Sequence, residues 1–156
     1  MVEEEEKLFV GLGSNLGARR DHLRQARQSI AQISELVESS KIIETKPQGI
    51  QSQSFFLNQV VSVRPPECSP EDYLSKLLGI EREIGRQRKT APDRVIDLDL
   101  LYWGDRVRET DPILPHPRLH ERQFVLEPMN ELDSGFVHPI FQKTQKQLWD
   151  ELKRTV

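Results

Sequence analysis

The chain has 156 residues, 30% of them charged and 36% hydrophobic, with a formal net charge of -3 and one cysteine, Cys68. That suits one soluble domain over residues 1–156 with a substantial core, and the negative balance gives no reason to expect nucleic acid. One cysteine excludes an intrachain disulfide and a multi-cysteine zinc site, and no apolar run approaches the roughly 20 residues that span a bilayer.

The acidic start, residues 1–6, reads as a solvated tail rather than a secretory signal. A reduced, cytoplasmic protein is the expectation. Residues 7–12, "KLFVGL", read as a strand that enters the glycine-rich turn "GSNLG". That turn lacks the ending of a P-loop, so a tight strand-to-helix connection is expected, with Ser14 or Asn15 capping the helix. Leu23, Ala26, Ile30, Ile33 and Val37 recur at spacings of three and four and predict one apolar helical stripe.

A strand is predicted over residues 40–45, and a polar loop over 46–54. The aromatic and β-branched run at 55–63 predicts another strand, ended by Pro65 and Pro66. A second helix opens with Ser69 as N-cap, Pro70 in the first turn and Glu71 and Asp72 against the helix dipole. Tyr73, Leu77, Ile80 and Ile84 make its buried stripe, and Gly85 stops it. A basic loop, "RQRKTAPDR", leads into the strand "RVIDLDLLYW". The tail from Gly104 predicts a hairpin, a proline-broken stretch and a short helix near Leu148, wrapping the sheet and adding a strand or two. The order strand, helix, strand, strand, helix, strand is that of an α+β ferredoxin-like sandwich, an antiparallel sheet with two helices on one face.

Asp97 and Asp99 interrupt an otherwise apolar strand, although Asp is disfavoured there. Alternation puts Ile96, Leu98 and Leu100 on the helix-covered face and both acids on the open one. Their backbones are then roughly 6.5–7 Å apart, a spacing at which two carboxylates repel and a hard dication such as Mg²⁺ would reverse the sign. Solvation, or pairing with basic neighbours, is the simpler explanation for such a pair. Arg86, Arg88, Lys89 and Arg94 stand just upstream. They could neutralise the acids or, with a metal, bind a polyphosphate.

"GLGSNLG", "FLNQVV", "IEREIGRQR", "RVIDLDLL" and "LPHPRLHERQFVLEPMNEL" follow in this order. Together they resemble the 6-hydroxymethyl-7,8-dihydropterin pyrophosphokinase family of folate biosynthesis. The resemblance runs from about Leu8 to Trp149. It implies a ferredoxin-like fold and transfer of the β,γ-pyrophosphoryl unit of ATP to the pterin hydroxymethyl oxygen, releasing AMP, with two Mg²⁺ ions. It implies that Asp97 and Asp99 hold the metal, that Arg86 and Arg94 stabilise the moving group, and that Arg88, His116 and Arg122 contact ATP, with Glu81 nearby. Phe56 and Phe124 would sandwich the pterin, while Asn58 and the chain near Thr45 would bond its polar edge.

Three departures from that pattern stand out. The loop "KTAPDR" is shorter and lacks an aromatic residue that many relatives carry. "TKPQG" replaces a proline-proline pair, and Pro117 follows His116. His116 and His120 have a zinc-like spacing on a helix, but Pro117 and the lack of a third ligand favour a structural His120. Trp103 and Trp149 read as packing residues. No general base is evident, so positioning and charge stabilisation would carry the reaction. A monomer acting on small molecules, with no membrane partner, is expected. A non-catalytic metabolite-binding regulatory module and a monophosphate kinase of the same fold are the competing readings.

Overall fold

The computed structural model describes residues 6–46, 55–85 and 95–155. Strand β1, Leu8–Ser14, lies at the centre of an antiparallel sheet. It pairs with β4, Phe56–Arg64, on one side and with β5, Asp97–Trp103, on the other. Two short strands, β2 (Glu35–Ser39) and β3 (Ile43–Thr45), share the outer edge of β4. The order is β2–β4–β1–β5, with β3 also on β4. Helices α1 (Arg19–Ile33) and α2 (Pro70–Ile84) complete the expected ferredoxin-like α+β sandwich.

The core between helices and sheet follows from periodicity. Leu8, Val10 and Leu12 of β1, Val61 and Val63 of β4, and Leu98 and Leu100 of β5 turn the same way. They meet Leu23, Ala26 and Ile30 from α1 and Tyr73, Leu77 and Ile80 from α2. Burying each large apolar side chain contributes about 1.5–3 kcal/mol. The ends of α2 are as predicted: the Ser69 hydroxyl accepts the Asp72 N–H at 3.1 Å, and the Gly85 N–H donates to the Glu81 carbonyl at 2.8 Å.

Helix α1 is shorter than its stripe predicts. It ends at Ile33, and Val37 lies in β2 with 55% of its surface exposed. Ser34 is extended, and its hydroxyl bonds the Ile30 carbonyl and the Tyr73 hydroxyl, so the chain turns straight into a strand. The strand predicted at 40–45 is reduced in consequence to β3, Ile43–Thr45. β2 precedes it, and Ser40 interrupts: its hydroxyl accepts the Val60 N–H and its own N–H donates to the Val60 carbonyl. The start of α1 also differs. β1 continues to Ser14, the turn carries Gly17 at φ +72°, and the N-cap is Ala18, with no side-chain cap. Neither Ser14 nor Asn15 caps the helix.

The second face of the sheet is not open. Helix α3 (Gln123–Asp133), helix α4 (Gln145–Arg154) and the 3₁₀ turn Leu119–Glu121 cover one end of it. Leu119, Val125, Leu126, Met129 and Leu148 pack there on Phe9, Val60, Leu101 and Tyr102. Pro128 inside α3 disguises that helix in the sequence. α4 has a capping box, Thr144 with Gln147. Among the described residues the tail adds no strand; it forms the bridges Arg108↔Leu114 and Val137↔Thr144. Glu6, placed with the acidic tail in the sequence reading, lies 3.6 Å from the Arg106 guanidinium.

β5 carries one extra residue. Val10 pairs with Leu100 and Phe9 with Tyr102, leaving Leu101 as a bulge. Leu101 and Tyr102 therefore join the second core, while Trp103 joins the first. No helix among the described residues is long and apolar enough to cross a membrane.

Candidate active site

β1 carries two glycines, Gly11 and Gly13, in register with the two acids of β5. Gly13 pairs with Asn58 on one side and with Asp97 on the other. Two residues back, Gly11 pairs with Val60 and with Asp99. In-register residues of adjacent strands share a face, so Asn58 and Asp97 flank Gly13, which has no side chain of its own; over Gly11, beside Asp99, the Leu101 side chain takes the space, 3.4 Å from where a β-carbon would stand. The flanking strands are about 9–10 Å apart, two interstrand spacings. The result is a trough beyond the end of the α3–α4 cover. A β-carbon on Gly13 would lie 3.0 Å from Asn58 Oδ1 and 3.6 Å from Phe56 Cδ1. Glycine inside a strand often marks such a close approach. The sequence predicts a turn at Gly13, whereas β1 runs through it to Ser14.

One wall of the trough is polar and firmly held. Asn58 is 5% exposed, and its Nδ2 donates to Thr45 Oγ1 at 2.6 Å. Its Oδ1 is thereby left over Gly13. Thr45 pairs in register with Phe56, so the three predicted pterin contacts on β3 and β4 lie together.

The other wall carries charge. Arg122, at the start of α3, places Nη1 3.8 Å from Asp99 Oδ2 and its guanidinium carbon 5.3 Å from the centre of the Phe124 ring. His116 joins them because its N–H donates to the Leu101 carbonyl at 2.9 Å. Its Nδ1 accepts the Arg118 N–H at 3.2 Å, which puts the proton of the neutral ring on Nε2. Burial holds the His116 pKa below the usual histidine value; Asp99 opposes that shift, and Arg122 and Arg118 add to it. Asp99, His116, Arg122 and Phe124 thus form one group.

Glu81 is placed differently from the rest. It is a buried residue of α2, and its Oε2 accepts the Leu98 N–H at 2.7 Å. It grips the backbone between the two acids from the edge of the sheet. Arg86, Arg88, Lys89 and Arg94 lie outside the described residues, as does most of the loop predicted at 46–54. His120 stacks edge-on against Phe141, with centroids 4.8 Å apart, which is the structural role expected of it. The 3₁₀ turn begins only at Leu119, so His116 and His120 do not share a helix.

Among the described residues no three His, Cys, Asp or Glu side chains gather as a metal site. Asp97 and Asp99 are half-exposed on the trough side. Two carboxylates suit Mg²⁺, which fills the rest of its shell with water and substrate phosphate.

Comparison with known proteins decides the family. The sequence profile of 7,8-dihydro-6-hydroxymethylpterin-pyrophosphokinase matches residues 9–134. The chain belongs to this family. A 2-amino-4-hydroxy-6-hydroxymethyldihydropteridine pyrophosphokinase of Aquifex aeolicus is 33% identical over 147 residues, covering 92% of this chain and 91% of the relative. The enzyme of that name from Bacillus subtilis is 38% identical over 128 residues, covering 80% of this chain and 76% of the relative. The crystal structure of wild-type Plasmodium falciparum HPPK-DHPS superposes with a TM-score of 0.73 at 12% identity, over 95% of this chain and 45% of that one. The chain thus spans less than half the length of that structure, which supports the pyrophosphokinase fold alone.

Proposed function

We propose that this chain transfers the β,γ-pyrophosphoryl unit of ATP to the hydroxymethyl oxygen of 6-hydroxymethyl-7,8-dihydropterin, giving the pterin diphosphate and AMP in folate biosynthesis. The observation that carries the reading is the row Asn58–Gly13–Asp97 across three adjacent strands. It sets an amide suited to a heterocycle edge opposite an acid suited to a phosphate-bound cation, with a glycine between them. A flat pterin fits over Gly13, with its amide edge on Asn58 Oδ1 and on the chain at Thr45. Phe56 and Phe124 supply aromatic faces for the ring.

ATP lies along the charged wall. Asp97 and Asp99 would hold Mg²⁺, two ions in this proposal, whose charge would offset that of the triphosphate. The neutral His116 ring donates through Nε2 to the nucleotide, and Arg122 supplies positive charge beside it. Arg86, Arg88 and Arg94 are assigned to ATP and the moving pyrophosphoryl group from their sequence positions. Glu81 serves by fixing the strand between the acids. The pterin oxygen attacks the β-phosphorus in line; the bond to the AMP oxygen breaks, and the hydroxyl proton passes to solvent. Rate enhancement comes from alignment and charge stabilisation. We further infer a single-domain monomer that works in the cytoplasm.

The test is product analysis with Mg²⁺-ATP and the pterin alcohol. AMP and pterin diphosphate in equal amounts are expected. Pterin-dependent ADP would select a monophosphate kinase. Binding of the pterin without nucleotide turnover would select a regulatory module.

A further inference from the structure

Arg19, the first residue of α1, has no part in the reaction proposed above, yet it reaches both strands that carry the pterin wall. Its Nη1 donates to the Phe55 carbonyl at 2.7 Å, and its Nη2 lies 3.1 Å from Glu44 Oε2. Glu44 immediately precedes Thr45 on β3, and Phe55 immediately precedes Phe56 on β4. Thr45 and Phe56 are register partners, and Asn58 bonds to Thr45. One planar guanidinium thus ties the last residues of β3 to the chain entering β4, one residue from each pterin contact.

We propose that Arg19 is a positioning residue for pterin binding. It acts from the α1 side of the sheet and touches neither substrate. β3 has three residues and pairs only at the outer edge of β4, so its own ladder holds it weakly. The arginine fork adds a charge-assisted bond to each strand in a fixed plane. The effect reaches the trough because a shift of β3 against β4 moves Thr45 away from Asn58 Nδ2. The amide is then free to turn, and Oδ1 loses its fixed place over Gly13.

An ordinary surface ion pair is the competing explanation, since the two side chains are 31% and 52% exposed. The two differ in what they predict. Arg19 lies in an open groove with Asn15, Leu16, Gly17, Glu44 and Phe55, so its removal leaves solvent and no cavity in the core. A stability role and a binding role are therefore separable.

This inference rests on the pterin reading of the trough, and the experiment keeps the two apart. Binding of the pterin alcohol and of Mg²⁺-ATP is measured by calorimetry on wild type, Arg19→Ala and Arg19→Lys, with Tm and kcat. Arg19→Ala is expected to weaken pterin binding about tenfold, with ATP affinity and kcat within about twofold and Tm within about 4 °C. Arg19→Lys, which keeps the charge without the fork, should recover part of the loss. Unchanged pterin affinity in Arg19→Ala, or an equal loss of ATP affinity, overturns the inference and leaves the function standing. Failure of the wild type to bind the pterin alcohol overturns the function, and the inference with it.

Discussion

The same three strands present two different surfaces. Towards α1 and α2, β1 shows Leu8, Val10 and Leu12, each no more than 2% exposed, and its neighbours answer with Val61, Val63, Leu98 and Leu100. Towards α3, β1 shows Phe9, Gly11 and Gly13, flanked by Val60, Asn58, Asp99 and Asp97. The first face is filled and holds the fold. The second is filled at Phe9 and, by the Leu101 side chain, over Gly11; it thins only at Gly13, between an acid and an amide. Because alternate residues of one strand serve the two faces, stability and chemistry are interleaved along the chain yet separated in space. Substitutions at neighbouring positions should therefore give opposite phenotypes.

The sharpest contrast lies in β5. Asp97→Ala or Asp99→Ala should lower turnover with Mg²⁺-ATP and the pterin alcohol by about a thousandfold or more, roughly 4 kcal/mol of barrier. Tm should move by no more than about 4 °C. AMP release at near-normal rates in both variants would remove the metal assignment. On the filled face, Leu77→Ala should cost about 3 kcal/mol in denaturant unfolding and leave kcat of the folded fraction near wild type. A specific loss of kcat there would mean that the two faces are coupled.

Gly13→Ala tests the thin face directly. The added methyl would sit 3.0 Å from an Asn58 oxygen whose amide is tied to Thr45. The pterin KM should rise about tenfold, with the KM for ATP little changed. Equal effects on both substrates would place the pterin elsewhere.

The smallest expected effect lies outside both faces. His138 is 2% exposed, and its Nδ1 accepts the Ile140 and Phe141 N–H groups. Burial, with His120 nearby, lowers its pKa from 6.5 to about 4. The unfolded chain therefore takes up this proton first. The stability that His138 contributes is full above pH 6.5 and falls as the pH drops towards 4. Tm should decline over that window by a few degrees more in wild type than in His138→Asn. Parallel curves would show that the ring does not titrate with unfolding.

What could be read from the residues was what the chain decides locally. Ser69, Pro70 and Gly85 mark α2 because capping involves groups within four residues of one another. The alternation around Asp97 and Asp99 placed both acids on one side for the same reason. Val37 misled because a three-and-four spacing says nothing about where a helix stops; the Ser34 contact with Tyr73, far along the chain, decides that. α3 was hidden by Pro128, and with it the cover over the second face. The row Asn58–Gly13–Asp97 depends on the register of strands more than 35 residues apart in sequence, which no local pattern encodes. The candidate site residues rest on motif resemblance, whereas their arrangement depends on the register.

The bulge at Leu101 also bears on how the chain around His116 is held. A chain without that residue would still close its ladder, with Tyr102 and Trp103 facing as they do now, because a regular strand alternates. With the bulge in place, the Leu101 carbonyl receives the His116 N–H. One extra residue in the ladder thus lets a single edge strand send side chains into both cores and anchor the segment that carries His116.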